Sequence, residues 1–244
     1  EEAVRFLEGV AAARPFLGRG YRESMPRVTA PLALKMIASG QAVGDEDLTP
    51  MAAVAGAMAD AVADFLFARG MTRVLVDNGG DVAVRSCDGE PVRVGIRPQV
   101  DRKGISDVVL LGPERTAWGI ATSGFGGRSL TRGVLESATV VAADASLADA
   151  AATAVANAGS VADGAVVRMP AEAIDPYTDI AGLDVTVRIG PLAEARRQQA
   201  VDHAIRRAEE LIERRIILGA YAACQGCSAM TPFLAERLEG RSRR

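Results

Sequence analysis

Ala138-Thr139-Val140-Val141-Ala142 and, a few residues on, Ser146-Leu147-Ala148-Asp149-Ala150-Ala151-Ala152-Thr153-Ala154 decide how this chain folds. The first segment is apolar on both faces of an extended chain, which places it in the middle of a sheet. The second is rich in alanine and predicts a helix from Leu147 to about Asn157. On that helix Asp149 and Thr153 stand four apart and share a face. Two readings of the face are open. A carboxylate and a hydroxyl one turn apart offer oxygen ligands to a hard cation such as Mg²⁺. Alternatively, Ser146-x-x-Asp149 is a capping box and Thr153 bonds a carbonyl one turn back.

Upstream lies a glycine-rich loop, Ala121-Thr122-Ser123-Gly124-Phe125-Gly126-Gly127-Arg128-Ser129. Its backbone N–H groups, hydroxyls and single guanidinium suit phosphate oxygens. It lacks the Gly-Lys-Ser/Thr ending of a Walker loop, and no long helix pattern follows directly as a dinucleotide fingerprint requires. The plain alternative is a surface loop. Further upstream, Asn78-Gly79-Gly80-Asp81 follows a strand. Its glycines permit positive φ and close backbone approach, and taken alone it reads as a turn between two strands.

Other strands are expected at 73–77, 82–85, 91–97, 108–111, 117–122 and 185–189. Helix is expected over 1–14, ended by Pro15, and over 31–40, stopped by Gly40. A third helix is capped by Thr49, has Pro50 in its first position and runs to about Ala68 before Gly70. A long polar helix covers 192–215 with Ala195, Ala204, Ala208 and Leu211 inward. Residues 216–223 continue it or form a last strand. Helices interleaved irregularly with hairpin-like strands imply an α+β fold. The sheet is mixed and mainly antiparallel, with helices packed on one side. One domain is expected over 1–244, with 237–244 a solvated tail.

Half the residues are hydrophobic (49%) but only 4% are aromatic, so the core packs small side chains. The net charge of −3 and the lack of a basic stripe argue against nucleic acid as a partner. No apolar run approaches the roughly 20 residues of a membrane span, and a cytoplasmic location is expected. Three cysteines, Cys87, Cys224 and Cys227, do not make a secreted disulfide scaffold. Cys224 and Cys227 have C-x-x-C spacing, but a four-cysteine zinc site within one chain is excluded. They read as buried or incidental thiols, with a metal shared between chains as the alternative. His203, the only histidine, falls on the polar helix and builds no Ser-His-Asp assembly.

Five segments in order carry a resemblance: Val76-Asp-Asn-Gly-Gly-Asp81, Val94-Gly-Ile-Arg-Pro98, Ala121-Thr-Ser-Gly124, Ala138-Thr-Val-Val-Ala142 and Ala148-Asp-Ala-Ala-Ala-Thr-Ala154. This order resembles the ApbE superfamily over roughly residues 48–160. Proteins of that superfamily bind FAD, depend on Mg²⁺ and attach FMN to a Thr or Ser of a target protein. The resemblance implies a T-fold-related α+β domain built on an internal duplication. It assigns Asp149 and Thr153 to the metal. It assigns Asn78, Gly79, Gly80 and Asp81, with Thr122, Ser123 and Gly124, to the flavin nucleotide, FAD or FMN. Gly79, Gly80, Gly124, Gly126 and Gly127 then approach its pyrophosphate, and Arg128 adds a charge-assisted contact. A small-molecule nucleotide ligand, a protein partner and a homo-oligomer are the partners it implies. The transferases carry His-Ile-Ile-Asp-Pro between the Ser-Gly loop and the Val-Val-Ala strand. Here Gly126 to Ser137 join the two without a histidine. The chain is thus similar to a side branch that carries Pro50-Met-Ala-Ala-Val-Ala-Gly56 and a short loop ending in Ser129-Leu130. That branch is associated with sulfur assimilation and homocysteine formation. It implies, as an alternative, an accessory or carrier protein whose chemistry lies at Cys224 and Cys227.

Overall fold

The computed structural model describes residues 1–20, 28–97, 104–105 and 107–239. In chain order the elements are α1 (Glu2–Leu17), α2 (Pro31–Val43), a 3₁₀ turn (Pro50–Ala53), α3 (Val54–Phe67), β1 (Arg73–Asp77), β2 (Val82–Ser86), β3 (Val92–Ile96) and β4 (Asp107–Leu111). They continue with β5 (Ala117–Ser123), β6 (Ser137–Ala142), α4 (Ala145–Ala158), β7 (Val166–Pro170), the short α5 (Ala171–Ile174) and β8 (Asp184–Ile189). The chain closes with α6 (Glu194–Glu213), β9 (Gly219–Cys224), β10 (Cys227–Met230) and α7 (Pro232–Ala235).

Six strands form one antiparallel sheet in the order β1-β2-β5-β6-β9-β10, while β3–β4 and β7–β8 are separate two-stranded ribbons. The central position expected for 138–142 is observed: β6 is buried at every residue between β5 and β9. Its side chains alternate between two cores. Ala138, Val140 and Ala142 join the cluster that holds α2, α4 and α6. Val141 joins Trp118, Ile120 and Tyr221 under the β3–β4 ribbon, with Val92, Ile96 and Leu111. The long helices therefore lie on one face and a ribbon covers the other. The fold is α+β with an antiparallel main sheet.

Helix α4 is the element that positions the site. Its alanines are fully enclosed, Ala148, Ala150, Ala151 and Ala152 each at 0% exposure. Its first turn is wedged between two glycines. A Cβ on Gly119 of β5 would lie 1.9 Å from the Asp144 carbonyl carbon, and one on Gly56 of α3 would lie 2.1 Å from the Ala145 carbonyl oxygen. Only a residue without Cβ admits backbone this close. The same contact brings Asp149 to 2.9 Å from that Gly56 position.

Several local expectations are corrected. Helix α1 runs two residues past its proline to Leu17, which is fully buried. Burial of Leu17 outweighs the single N–H that Pro15 withholds. Helix α2 ends at Gly44 rather than Gly40, because Gly44 takes the left-handed conformation (φ 72°) and its N–H bonds Gly40 O. Residues 216–223 supply a strand, β9, and not a helical extension. Strands β7 and β10 were not anticipated. Ala195 is exposed, while Ala204, Ala208 and Leu211 face inward as expected. The capping box at Ser146 is not formed. Asp144 caps α4, accepting from Leu147 N at 2.9 Å. Ser146 is buried inside the helix with its hydroxyl 2.8 Å from that of Ser39.

Thr49 caps the 3₁₀ turn through Met51 N, with Pro50 in the first position. The stretch Pro50–Phe67 is, by length and composition, apolar enough to cross a membrane. Sequence inspection misses this because the run holds Asp60 and Asp64. In the fold, its alanines Ala59 and Ala63 pack on Val74, Ala83 and Ala145. The first residues of the expected tail are tied down: Arg237 O accepts from Leu110 N, and Glu239 N donates to Val108 O. Residues 240–244 lie outside the described residues.

Candidate functional site

The turn after β1 stands against the start of α3 and the face of α4. Gly79 and Gly80 take φ of 76° and 109°, which no ordinary side chain adopts readily. Asn78 Nδ2 donates to Ala55 O at 3.1 Å and anchors the turn to α3. Asp77 Oδ1 accepts from Gly80 N at 2.9 Å. Across the turn lies Arg128, whose Nη2 is 3.4 Å from Gly79 O. A Cβ on Gly79 would sit 1.7 Å from that nitrogen, so the glycine makes room for the guanidinium. Arg128, 49 residues away in sequence, thus joins the turn.

Asp149 accepts from Gly56 N at 2.9 Å and also from Ala55 N. It therefore caps helix α3 rather than its own helix. Burial pushes its carboxyl well above the usual range, and the charge of Asp81 adds to that. Asp81 is itself pushed up to about 7, by burial first and then by Asp77, against the pull of Arg128 and a hydrogen bond from Thr122 N. Removing carboxylates from water disfavours their charged form, and a like charge nearby does the same. The two groups together hold less negative charge than their number suggests.

One turn along α4, Thr153 is half-buried, and its hydroxyl has no hydrogen-bond partner among the described residues. The back-bonding alternative is not what forms. Thr153 faces a cleft of about 300 Å³ shared with Thr49, Arg128, Arg132, Asn157 and Asp179. Thr49 donates to Asp179 across the cleft. Arg128 and Thr153 are the two sequence-derived candidates that line it directly.

The rest of the glycine-rich loop behaves differently. Thr122 Oγ1 is 2.9 Å from Thr139 Oγ1, its neighbour on β6, and Ser123 is buried. Gly124 has φ 143° and packs on the Leu135 and Glu136 carbonyls. The amides of Phe125, Gly126 and Gly127 bond to Leu135 O, Glu136 O and Gly124 O. Those N–H groups are already used, so Gly126 and Gly127 shape the loop and do not form an open phosphate cradle here. Residues the sequence reading missed are Asp77, Thr49, Asp179 and Arg132. Asp77 adjoins the glycine pair and was within reach of it. Thr49 and Asp179 meet across 130 positions, with no local signal.

Among the described residues, no three of His, Cys, Asp and Glu are grouped to hold a metal ion. The oxygen donors on hand are the Asp149 carboxylate and Thr153 hydroxyl, with the Asp81 carboxyl nearby. Cys224 and Cys227 are direct partners across the β9–β10 hairpin, whose turn is Gln225-Gly226. Cys224 is fully buried, its thiol is 3.6 Å from Val134 O, and burial and the charge of Glu136 push it up to about 11. The thiolate is the reactive form. Alkylation of the native protein at pH 8, read by mass spectrometry, is therefore expected to label exposed Cys87 first and spare Cys224 until denaturation. Rapid native labelling of Cys224 would contradict this. His203 is half-buried, with Nδ1 3.3 Å from Ser160 O, and does not line the cleft.

The chain is similar to several known proteins. The chain is 34% identical over 158 residues to a UPF0280 protein of Methanospirillum hungatei, covering 64% of this chain and 63% of that one. It is 33% identical over 174 residues to a UPF0280 protein of Methanosphaerula palustris, covering 66% and 71%. It is 42% identical over 113 residues to one of Methanocella arvoryzae, covering 44% and 43%. The match thus spans under two thirds of the first relative's length. A structure search gives the apo form of Pseudomonas stutzeri flavinyl transferase ApbE, with a TM-score of 0.43 and 20% identity over 78% of this chain and 53% of that one. The model of the family described as "AbpE bacteria" matches residues 1–230. The chain belongs to that family and is a member of the ApbE-like superfamily.

Proposed function

We propose that this chain binds a flavin or another phosphorylated nucleotide, FAD or FMN being the first candidates, together with Mg²⁺ at the α4 face. The observation that carries the reading is the placement of Thr153. Thr153, its hydroxyl unbonded among the described residues, lines the cleft one turn from Asp149, and Arg128 lines the same cleft.

The donor set fits Mg²⁺: it is all oxygen and leaves positions for water and phosphate, as this ion prefers. Two carboxyls pushed toward the neutral form, Asp81 and Asp149, are also what a cation would relieve. Asp149 and Thr153 would hold the ion. Its charge would be shared with phosphate oxygens. Arg128 supplies a second cation, able to make a paired contact with phosphate. Gly79 leaves space for that side chain to swing. Asp149 keeps the start of α3 in place meanwhile. The proposal is binding; FMN transfer is not part of it, because the histidine-bearing segment of the transferases has no counterpart between Gly126 and Ser137.

Thr153→Val is close in shape and tests the site with little threat to the fold. It is expected to weaken Mg²⁺-dependent FAD binding about 10-fold, and Asp149→Asn about 10- to 100-fold, as loss of contacts to charged groups does. Equilibrium binding at fixed Mg²⁺ checks both. Unchanged affinity in both variants would remove the site.

A further inference from the structure

Helix α4 connects the cleft at Thr153 to a second cavity. Asp149, Thr153 and Asn157 stand at i, i+4 and i+8, a polar stripe on a helix made largely of alanine. Asn157 lines both the cleft and a cavity of about 510 Å³ beyond it. Asp47 and Arg132 also line both, and their ion pair is the partition.

The second cavity is organised by charge. Half-buried nitrogen donors form its inner wall: Arg132, Asn157, Arg168 and Arg207. Exposed carboxylates form its rim, Glu46, Asp47 and Asp184, and a fourth, Asp45, is half-buried and accepts from Asp47 N at 3.1 Å. Arg132 and Arg207 have acidic partners in Asp47 and Glu210. Arg168 has none among the described residues; its Nη2 donates to Ser160 Oγ at 2.8 Å and Val161 O at 3.2 Å. Its remaining N–H groups are uncommitted. Asn157 Oδ1 accepts from Arg132 N at 2.9 Å and from the Thr131 hydroxyl at 3.3 Å, which leaves its amide nitrogen unpartnered among the described residues. Directly across the β7–β8 ribbon from Arg168 is Thr186, buried at 5% exposure with no partner for its hydroxyl. Thr186 shares a strand face with Asp184, which lines the cavity. A guanidinium without a counter-ion and a spare amide line the cavity, with the orphaned Thr186 hydroxyl behind Arg168 and outside the lining; such free donors match the oxygens of an anion.

We propose that this cavity binds the oxyanion end, carboxylate or phosphate, of a small second ligand seated beside the nucleotide cleft. The inner donors take the oxyanion. The acidic rim repels polyanions and favours a ligand whose outer end is neutral or cationic. The cavity's donors, Arg168 and Asn157, are not among the residues proposed to hold the nucleotide and its Mg²⁺, so the oxyanion site stands whether or not a nucleotide binds the neighbouring cleft.

The test is calorimetric titration of the full chain, without nucleotide, with sodium acetate and separately with inorganic phosphate at constant ionic strength. Saturable binding of at least one probe is expected, and the tighter one names the source of the oxyanion. Arg168→Gln is expected to weaken it about 10-fold, as loss of a charged hydrogen bond does. Asp184→Asn, on the exposed rim, is expected to tighten it about twofold by removing a repelling charge. No saturable binding of either probe overturns the proposal. So does binding that falls in Arg128→Gln yet survives in Arg168→Gln, which would assign the anion to the neighbouring cleft. Should Arg168→Gln fail to fold by circular dichroism, unchanged affinity in Asp184→Asn overturns it alone.

Discussion

Asp60→Ala is expected to destabilise the protein by about 3–5 kcal/mol, the cost of leaving a buried charge without its partner. Asp60 lies within the apolar helix α3 at 0% exposure. Each of its oxygens serves two donors. Oδ1 accepts from Arg85 Nη2 at 2.9 Å and Ala145 N at 3.1 Å. Oδ2 accepts from Ser146 N at 2.9 Å and Lys35 Nζ at 2.7 Å. One carboxylate thus ties α2, α3, β2 and the first turn of α4. Without it, two amides at the start of α4 lose their acceptor, and Arg85, 7% exposed, keeps Asp64 at 2.6 Å as its one acidic partner, beside the Val84 carbonyl at 3.0 Å. Domains are stable by about 5–15 kcal/mol in total, so this change consumes a large share. Urea unfolding measures it; a loss below about 1 kcal/mol would show the network to be dispensable. Burial pushes the Asp60 carboxyl up, but Lys35 and the amides of Ser146 and Ala145 outweigh it and hold the carboxyl below its ordinary 3.8. A lowered carboxyl stabilises above the unfolded value and loses that contribution as pH falls through the folded one. Acid unfolding of the wild type below about pH 4 is therefore expected to draw on Asp60, and Asp60→Asn to flatten that limb.

Asp81→Asn is expected to act in the opposite direction and stabilise the ligand-free protein at pH 8. The folded state holds this carboxyl at about 7 against an ordinary 3.8. Between those values the folded chain binds more protons than the unfolded one, so stability falls as pH rises from about 4 to about 7 and is level above. Full ionisation of such a group costs roughly 4 kcal/mol at 1.36 kcal/mol per pH unit. Asp81 is half-buried, and solvent screening reduces the expected gain to about 1–2 kcal/mol. Thermal unfolding of both proteins at pH 5 and pH 8 checks it. The variant should gain at pH 8 and lose most of the advantage at pH 5; equal gains at both would place the effect outside the carboxyl. A residue that destabilises the empty fold yet faces Arg128 and the glycine pair is what a functional site tends to retain.

Much of the framework is legible in the sequence because it depends on local pattern. The doubly apolar 138–142, the Thr49-Pro50 helix start and the Asp149/Thr153 spacing each follow from the period of one element. Strand β7 hides because Val166 to Pro170 includes an arginine and ends in proline, and it exists only through pairing with β8. The stop at Gly44 rather than Gly40 depends on which glycine turns left-handed, and both lie near the end of one apolar pattern. Ser146 and Asp149 carry the spelling of a capping box, but Gly56 and Asp60 approach from α3 and claim both residues. The site divides in the same way. Asp149, Thr153 and Arg128 are singled out as candidates by residue type and spacing alone. The closed amides of Gly126 and Gly127, the Thr49–Asp179 contact and the Arg132–Asp47 partition come from tertiary packing across long separations.

Binding of a nucleotide together with a divalent cation is what is proposed for the α4 face. Titration of the protein with FAD, followed by flavin fluorescence with and without Mg²⁺, tests it most directly. Saturable binding in the micromolar range that requires Mg²⁺ is expected. Absence of binding in both conditions, or binding indifferent to Mg²⁺, would contradict it.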